Sequence, residues 1–261
     1  MAFTVHAVMP GVWHIVDCMG VCMTLLEGEN AAMLVDTGYG IEDVADFMRH
    51  MTDLPLTVFL THNHHDHAMG ARCFPETYML EADMADWRRF TNDERRRRVL
   101  TQAIGKNLPV DEKTFLAGEI PLPKVMKPGV IDLGGLTAEI IEAPGHTPGS
   151  AVVYVPERKL LLSGDDWNPC TWLFFPQALG LREYRSNMRG IQQLPFEKVL
   201  CPHREALYDR WMFDDFFNAL TDGNLRAAEP VNIAPYEQID TCQATLPHDQ
   251  VFVFDWAKSG L

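Results

Sequence analysis

The sequence predicts an α/β fold in which two β-sheets pack face to face and helices cover their outer sides. Short apolar or β-branched runs, separated by Gly, Pro and Asn, occur in two series, and each series is followed by segments with helical spacing of apolar residues. The chain has 261 residues, of which 47% are hydrophobic. A chain of this length and composition can bury the core that two packed sheets require.

The first half of the chain contains the first series of strands. Apolar runs predict strands over residues 3–5, 13–16, 21–26, 32–35 and 56–60, and a helix over residues 41–50. Helical spacing of Met, Trp and Leu continues from residue 82 to 106. The proline-punctuated stretch 109–128 predicts a connector or part of a cap.

The second half repeats this arrangement without a detectable sequence repeat. Strands are predicted over residues 130–133, 137–142, 151–155, 159–162, 198–200 and 251–254, and helices over residues 182–194 and 205–218. We therefore expect a single domain over residues 1–261, with halves of about 1–125 and 126–261. Residues 82–128 form the expected cap or connector.

Charge and composition exclude several classes of protein. The formal net charge of −14 disfavours nucleic acid as a partner, because phosphate-binding surfaces are rich in Lys and Arg. One local exception is the run Arg95 to Arg98, which predicts a solvated helix face or, alternatively, a basic rim that attracts an anionic substrate. We expect a small-molecule substrate.

The expected location is the cytoplasm. No stretch approaches the ~20 apolar residues that span a bilayer, and residues 1–10 lack the pattern of an export signal. The six cysteines are scattered along the chain, as is typical of reduced thiols in a cytosolic protein. The sequence therefore gives no reason to expect membrane attachment.

Four metal-ligating side chains lie directly after the predicted strand 56–60: His62, His64, Asp66 and His67. Imidazole and carboxylate groups are good ligands for divalent metals such as zinc. Residues two apart in an extended turn point the same way, so His62 and His64 can hold one ion while Asp66 and His67 face a second. A histidine-rich surface loop is the alternative interpretation. His65 is expected to point away from the ions.

Three further candidate ligands also follow predicted strands. His146 lies in the Gly- and Pro-framed loop 143–150, a carboxylate of the pair Asp165-Asp166 follows Leu-Leu-Ser-Gly, and His203 follows Leu-Cys-Pro. A single histidine at a strand end is more often structural than functional. The shared placement at strand ends predicts that these side chains meet at one edge of the fold, where loops carry function.

These runs resemble the sequence signatures of the metallo-β-lactamase superfamily. Thr-His-Asn-His-His-Asp-His at 61–67 matches that family's Thr-His-x-His-x-Asp-His. Pro-Gly-His-Thr-Pro-Gly at 144–149, the Ser-Gly-Asp that ends at Asp165 and the Pro-His that ends at His203 match its later signatures in order. Val-Asp-Thr-Gly at 35–38 resembles an earlier one. The resemblance implies a four-layer αββα sandwich of two mixed β-sheets, with metals at one edge.

The resemblance also implies a role for each candidate residue. The first metal would be bound by His62, His64 and His146. The second would be bound by Asp66, His67 and His203. Asp165 would bridge the two ions, a role that its neighbour Asp166 does not take. Asp36 and Thr61 would brace the ligand loop, since metal ligands usually need such support.

These assignments predict a hydrolase with two divalent metal ions. Zinc is the first expectation, with iron or manganese left open. A metal-bridging hydroxide would attack a small ester, thioester, lactone or phosphoester, with Asp66 and Asp165 as the catalytic carboxylates. The acidic bridge resembles the glyoxalase II and lactonase branches, whereas the main zinc β-lactamases place a cysteine there. The alternatives are a one-iron oxidoreductase similar to persulfide dioxygenases and an inactive metal-binding protein.

The aromatic segment 167–176 follows the bridging aspartate. It predicts an apolar substrate wall, or alternatively core packing or a homodimer contact. Met84, Trp87 and Phe90 predict either a lid or ordinary packing. Arg226 and Lys258 are the basic residues beyond residue 225, and so few basic side chains disfavour glutathione recognition of the kind found in glyoxalase II-like enzymes.

Overall fold

The computed structural model describes residues 3–261, and the first seven strands form one mixed sheet. Each strand neighbours the next in sequence: β1 (Thr4–Met9), β2 (Val12–Val16), β3 (Cys22–Glu27), β4 (Ala32–Val35), β5 (Leu56–Phe59), β6 (Tyr78–Met79) and β7 (Lys124–Val125). The pairs from β1 to β4 are antiparallel, and those from β4 to β7 are parallel.

The remaining strands form two more sheets. They are β8 (Gly129–Asp132), β9 (Thr137–Glu142), β10 (Ala151–Val155), β11 (Leu160–Leu162), β12 (Cys170–Leu173), β13 (Lys198–Leu200), β14 (Tyr208–Asp209), β15 (Glu229–Pro230), β16 (Thr241–Leu246) and β17 (Gln250–Asp255). The second sheet has the order β14-β13-β11-β10-β9-β8, and only its β11–β13 pair is parallel. The third has the order β12-β17-β16-β15.

The α-helices of residues 3–261 are α1 (Val44–Met51), α2 (His65–Ala68), α3 (Trp87–Thr91), α4 (Asp93–Gly105), α5 (Glu112–Phe115), α6 (Leu181–Ile191), α7 (Arg210–Ala219) and α8 (Asp222–Arg226). Among them, α1 covers the outer face of the first sheet, and α6 and α7 cover that of the second. Asn92 and Asp43 begin α4 and α1 with side chains that accept a hydrogen bond from the third backbone N–H of the helix.

Alternation along the strands builds the layers, because neighbouring residues of a strand point to opposite faces. Leu34 packs on the outer side of the first sheet with Met48 of α1. Met33 and Val35 point the other way, into a core shared with Val153 of the second sheet. On the far side of the second sheet, the buried side chains pack against α6 and α7. The order is therefore helix, sheet, sheet, helix, as predicted.

The third sheet is not predicted as a separate sheet, because the residue pattern of its strand β16 does not indicate a strand. Its strand β16 alternates between buried and partly exposed residues of mixed polarity, Thr-Cys-Gln-Ala-Thr-Leu, without a clear apolar run. Its edge strand β12 lies inside the aromatic segment 167–176. Phe252 and Phe254 of β17 pack in the same core cluster as α6 and α7, so the third sheet extends the second half of the fold.

One predicted helix begins later than the sequence indicates. The prediction of a helix over 205–218 is wrong for its first five residues, because Tyr208 and Asp209 pair with Val199 and Lys198 as β14. The helix α7 starts only at Arg210. Residues 205–207 thus belong to the loop that follows His203, beside the candidate site.

The division of the chain into two halves of one domain stays a prediction, although the first sheet ends at Val125 and the second begins at Gly129. None of the helices in residues 3–261 combines the length and apolar character needed to cross a bilayer.

Candidate metal centre

The seven predicted ligands lie together at one edge of the two main sheets. They form two groups, in each of which the candidate ligand atoms lie within 4.8 Å of one another. The first group is His62, His64, His146 and Asp165, and the second is Asp66, His67 and His203. The residues follow β5, β9, β11 and β13, so each strand delivers its loop to the same edge, as the sequence predicts.

Asp165 lies between the two groups. Its Oδ2 atom is 3.9 Å from Nε2 of His62 and 3.5 Å from Nε2 of His146, both in the first group. The same oxygen is 3.4 Å from Nε2 of His67, and Nε2 of His203 lies 3.1 Å from the carboxylate. A carboxylate in this position can contact ions in both groups at once.

The histidine nitrogens fit a metal site. Nε2 of His62 and Nε2 of His67 are buried and lack a hydrogen-bond partner among the described residues. Unpaired polar atoms in a protein interior are costly, so such atoms call for a ligand. Nε2 of His146 and Nδ1 of His64 lie only 2.8 Å apart. One divalent ion held by His62, His64 and His146 and a second held by His67 would satisfy all of these nitrogens.

Burial keeps the first group in the form that binds metals. It lowers the pKa of His62 and of His64 well below the ordinary histidine value, and neighbouring histidines lower both further. Neutral imidazole is the ligating form. Burial acts to raise the pKa of Asp165, but His203 and His67 outweigh it and hold that pKa well below the usual range. Asp165 is therefore a carboxylate.

The second group carries opposite charges in close contact. Burial acts to lower the pKa of His67, but the carboxylates of Asp165, Asp66 and Asp36 outweigh it and raise that pKa well above its ordinary value. The carboxylates thus favour a positive charge at this position. A divalent ion bound here would supply that charge.

Asp36 and Thr61 brace the ligand loop. Oδ1 of Asp36 accepts a 2.7 Å hydrogen bond from the backbone N–H of Thr61, and Oδ2 accepts one of 2.9 Å from Nδ1 of His67. The second contact leaves Nε2 of His67 free to bind a metal. Asp36 adopts a left-handed backbone conformation, with φ of 65°, which is uncommon for a residue with a side chain. Such strain is typical of functional sites.

His146 is oriented by two contacts from the segment that follows Asp165, which includes β12. Its Nδ1–H donates to the carbonyl of Trp172 at 2.7 Å, so Nε2 faces the other ligands. Its backbone N–H donates to Oδ1 of Asp166 at 3.1 Å. Asp166 is fully buried and belongs to neither ligand group. The two adjacent aspartates therefore have different environments, and only Asp165 lies among the ligands.

Asp83, which sequence reasoning missed, links the two histidine loops. Its carboxylate accepts hydrogen bonds from the backbone N–H of Asn63 at 3.0 Å, from Oγ1 of Thr147 at 2.8 Å and from the backbone N–H of Gly149 at 2.6 Å. A Cβ atom at Gly149 would lie 2.6 Å from the backbone nitrogen of Asp83, so only glycine allows this approach. No sequence signal separates Asp83 from the other acidic residues of its segment.

Gln177 is a second contact that sequence reasoning missed. Its side-chain amide nitrogen lies 2.5 Å from Nε2 of His64, and its Oε1 is buried without a partner. A half-turn of the amide exchanges the two atoms, so that Oε1 accepts a hydrogen bond from Nε2–H of His64. That arrangement satisfies both groups and leaves Nδ1 of His64 for a metal.

Five of the candidate ligands line a cavity of about 550 Å³: His64, Asp66, His146, Asp165 and His203. The rings of Phe90 and Phe175 lie 4.5 Å and 4.8 Å from the ring of His64, between centroids, and both line the cavity. Trp172 and Tyr236 extend this aromatic wall. The wall has the character of a site for an apolar group.

The aromatic segment 167–176 serves both predicted purposes. Trp172 and Phe175 line the cavity, whereas Trp167 and Phe174 are fully buried. The helical residues divide in the same way, since Trp87 packs in the core and Phe90 faces the cavity. Nζ of Lys258 donates to backbone carbonyls at 175, 176 and 178 and so holds the aromatic loop in place.

The arginine run is not one solvated face. That prediction fits the exposed Arg97 and Arg98 but is wrong for Arg96, which is fully buried and donates to the carbonyls of Phe115 and Gly118. Arg95 lines the cavity instead. His65 also lines the cavity, but it belongs to neither ligand group.

Comparisons with known proteins agree with this architecture. A sequence model described as "Metallo-beta-lactamase superfamily" matches residues 16–203. The acyl-coenzyme A thioesterase MBLAC2 of Gallus gallus is 26% identical over 202 residues, which cover 69% of this chain and 70% of that protein. The Homo sapiens protein of the same name is 24% identical over 168 residues, 56% of this chain and 60% of that protein.

A solved structure shares the fold. The crystal structure of the metallo-beta-lactamase family protein TTHA1429 from Thermus thermophilus superposes with a TM-score of 0.62 at 20% identity, and the match covers 85% of this chain and 82% of that chain. This likeness confirms the predicted sandwich of two mixed sheets with helices outside.

Proposed function

Since the chain belongs to the metallo-β-lactamase superfamily, we propose that it is a metal-dependent hydrolase that cleaves small acyl esters, with thioesters as the foremost class. The observation that carries the proposal is the convergence of seven candidate metal ligands in two groups joined by Asp165, five of which line one cavity. An aromatic wall and a metal-ligating floor in the same cavity suit a substrate with an apolar part and a reactive carbonyl.

We assign two metal ions, with zinc as the expected metal. The first would be held by His62, His64 and His146, the second by Asp66, His67 and His203, and Asp165 would contact both. When bound, such ions supply Lewis acidity, which promotes ionisation of water and stabilises negative charge on a carbonyl oxygen.

The chain's own residues prepare this chemistry. Asp36 fixes the tautomer of His67 through Nδ1, and the carbonyl of Trp172 does the same for His146, so both Nε2 atoms face the reaction centre. Burial of the ligands limits water to the open side of the cavity. The carboxylate of Asp66 is only partly buried, and so it is available to orient a water molecule that enters from that side.

Thioesters rank first among the candidate substrates because of the relatives. The chicken and human proteins that this chain resembles are named as acyl-coenzyme A thioesterases. The cavity, with its wall of Phe90, Trp172, Phe175 and Tyr236, can hold an acyl chain. Lactones and phosphoesters are hydrolysed by the same general chemistry, so they belong in the same substrate panel.

The main rival is a one-iron oxidoreductase similar to persulfide dioxygenases. Such a site needs only His62, His64 and His146. Here Nε2 of His203 and Nε2 of His67 each lie 3.8 Å from Oδ2 of Asp66, which completes a second ligand group and favours two ions. An inactive metal-binding protein is the other rival, and turnover separates it from the hydrolase.

The proposal is tested on protein purified without added metals or chelators. Elemental mass spectrometry gives the metal content, and a panel of octanoyl thioesters, esters, lactones and phosphoesters gives the activity. Asp165→Asn should lose hydrolysis, whereas Asp209→Asn, a change at an exposed aspartate that pairs with Lys198, should keep it. Absence of turnover across the panel with both ions bound would contradict the hydrolase, and one iron per chain would favour oxygen chemistry.

A further inference from the structure

We propose that the leaving group of the substrate carries an oxyanion, a phosphate or a carboxylate, and that Arg95 and Arg204 bind this anion at the rim of the cavity. The acyl group then lies on the opposite side, against the aromatic wall. This inference rests on the proposed hydrolase function and specifies the substrate of the same site.

Within the run 95–98, Arg95 is the arginine that is available to a ligand in the cavity. The two acidic residues at the start of α4 are already engaged, since Asp93 lies 3.2 Å from Arg96 and Glu94 lies 2.6 Å from Arg98. The guanidinium of Arg95 makes no ion pair within residues 3–261 and lines the cavity. Because Asp93 and Glu94 pair with Arg96 and Arg98, the guanidinium of Arg95 stays on the cavity side, unpaired among residues 3–261.

Arg204 has a fixed backbone and a free head group. Its carbonyl accepts a 3.0 Å hydrogen bond from Nε2 of the buried His14, whose Nδ1 lies 3.0 Å from Oγ1 of Thr24. The guanidinium donates to the carbonyl of His203 at 2.8 Å, and no carboxylate of the described residues pairs with it. His14 of β2 thus holds the backbone of Arg204 at the rim, while the remaining N–H groups of the guanidinium stay available.

Two unpaired arginines on one cavity stand out against the charge of the chain. The sequence has 36 acidic and 22 basic residues, so carboxylates to pair with are plentiful. The guanidinium group has a planar fork of N–H donors that matches the oxygens of phosphate and carboxylate. The acidic residues of the cavity floor, Asp66 and Asp165, are assigned to the metal ions, which would offset their charge.

The apolar side of the cavity lies beside the first ligand group. The ring of Phe175 lies 4.8 Å from that of His64 and 5.3 Å from that of His146. The ring of Phe90 lies 4.5 Å from that of His64, and Trp172 supplies the carbonyl that orients His146. An acyl chain in contact with these rings places its carbonyl carbon above the ligands.

The basic side lies beside the second ligand group. Arg204 directly follows His203, and Arg95 lines the cavity together with His65 and Tyr39, whose ring centroids lie 5.6 Å apart. His65 in turn precedes Asp66. The cavity is therefore apolar beside the first ligand group and basic beside the second.

This polarity fixes the direction in which the substrate lies. In hydrolysis of a thioester, the oxygen of water bonds to the acyl carbon, and the carbon–sulfur bond breaks with its electron pair on sulfur. The sulfur takes up a proton, which gives a carboxylic acid and a thiol. The thiol leaves on the side of Arg95 and Arg204, and the acid leaves on the side of Phe175.

Binding of non-hydrolysable thioethers tests the inference separately from catalysis. The probes are S-octyl-coenzyme A with phosphates, S-octylglutathione with carboxylates and S-octyl-N-acetylcysteamine without charge, titrated calorimetrically into the metal-loaded protein. We expect an anionic probe to bind at least about tenfold more tightly than the neutral one, because charge-assisted hydrogen bonds are strong. The preferred anionic probe identifies phosphate or carboxylate as the group recognised.

The variants assign the effect to the two arginines. Arg95→Gln combined with Arg204→Gln should remove the preference for the anionic probes while leaving the neutral probe unaffected. Arg97→Gln is the matched control, because it removes the same charge from the same run at an exposed position outside the cavity. Equal affinity for all three probes in the wild type, or equal weakening of all three in the double variant, would overturn the inference.

Hydrolysis of the matching octanoyl thioesters separates this inference from the proposed function. In the double variant, KM for the anionic thioester should rise about tenfold or more while kcat changes little. Selective binding without any turnover would refute the hydrolase and leave the anion site standing. Turnover without a preference for anionic thioesters would refute the anion site and leave the hydrolase standing.

Discussion

The hydroxyl of Thr147 donates a 2.8 Å hydrogen bond to the carboxylate of Asp83 in the interior of the protein. The same carboxylate accepts the backbone N–H of Asn63, next to His62 and His64. One buried aspartate thus ties the loop of His146 to the loop of the other histidines. The distance between the ligands of the first group depends on this contact.

Asp83→Ala should therefore destabilise the protein and loosen the first metal site. Three buried donors would lose their acceptor, and since one unsatisfied group costs about 1–3 kcal/mol, we expect a loss of about 3 kcal/mol in the free energy of unfolding. Urea denaturation measures the loss. Glu81→Gln, an exposed change in the same short helical segment, serves as control and should have little effect. A loss equal to that of the control would exclude the bracing role.

Gln177 should control how His64 binds the metal. Gln177→Leu removes the acceptor for Nε2–H of His64 and should weaken metal binding by about 10- to 100-fold, as is usual for contacts that orient a ligand. Gln177→Glu keeps an acceptor oxygen and should restore most of the affinity. Competition with a chromophoric chelator measures both variants. Equal affinities in the wild type and Gln177→Leu would contradict the proposed contact.

Phe175 should determine the preference for long acyl chains. Its ring contacts His64 and His146 and forms part of the cavity wall. Phe175→Ala removes apolar surface, and since each buried CH₂ contributes about 0.8 kcal/mol, kcat/KM for octanoyl thioesters should fall more than tenfold. By contrast, kcat/KM for acetyl thioesters should change little. A parallel loss for both chain lengths would indicate a disturbed site instead.

Arg96 should be a structural residue despite its charge. It is fully buried, and its guanidinium donates to the carbonyls of residues 115, 117 and 118 at the end of α5. Arg96→Leu keeps much of the side-chain volume but leaves these carbonyls unpaired, so we expect a loss of about 3 kcal/mol in the free energy of unfolding. Arg97→Leu, its exposed neighbour, should cost little. Similar denaturation curves for the two variants would contradict this role.

The sequence alone predicted the candidate ligands because their identity and spacing carry the chemistry. Each lies directly after an apolar strand, and strands of this kind are recognisable from composition. The choice of Asp165 over Asp166 depends on the resemblance to the family's Ser-Gly-Asp signature, and the structure places only Asp165 among the other candidate ligands. The roles of these residues as metal ligands stay predictions.

Contacts between distant segments could not be predicted in this way. Asp83 lies 64 positions before Thr147, and Gln177 lies 113 positions after His64. Nothing in their local sequence distinguishes them from surface residues. The arginine run shows the same limit, because helical geometry and the partners of Asp93 and Glu94 decide which arginine faces the cavity. The third sheet is not predicted because its strand β16 lacks a continuous apolar run, although its strand β17 contains the predicted strand 251–254.

The most direct test of the proposed two-metal hydrolase is its turnover of an octanoyl thioester as a function of metal ions bound per chain. Chelator-treated protein is titrated with zinc, and bound metal is measured by elemental mass spectrometry at each point. Our account predicts no turnover without metal and a plateau at about two ions per chain. Full turnover in the metal-free protein, or none with two ions bound, would contradict it.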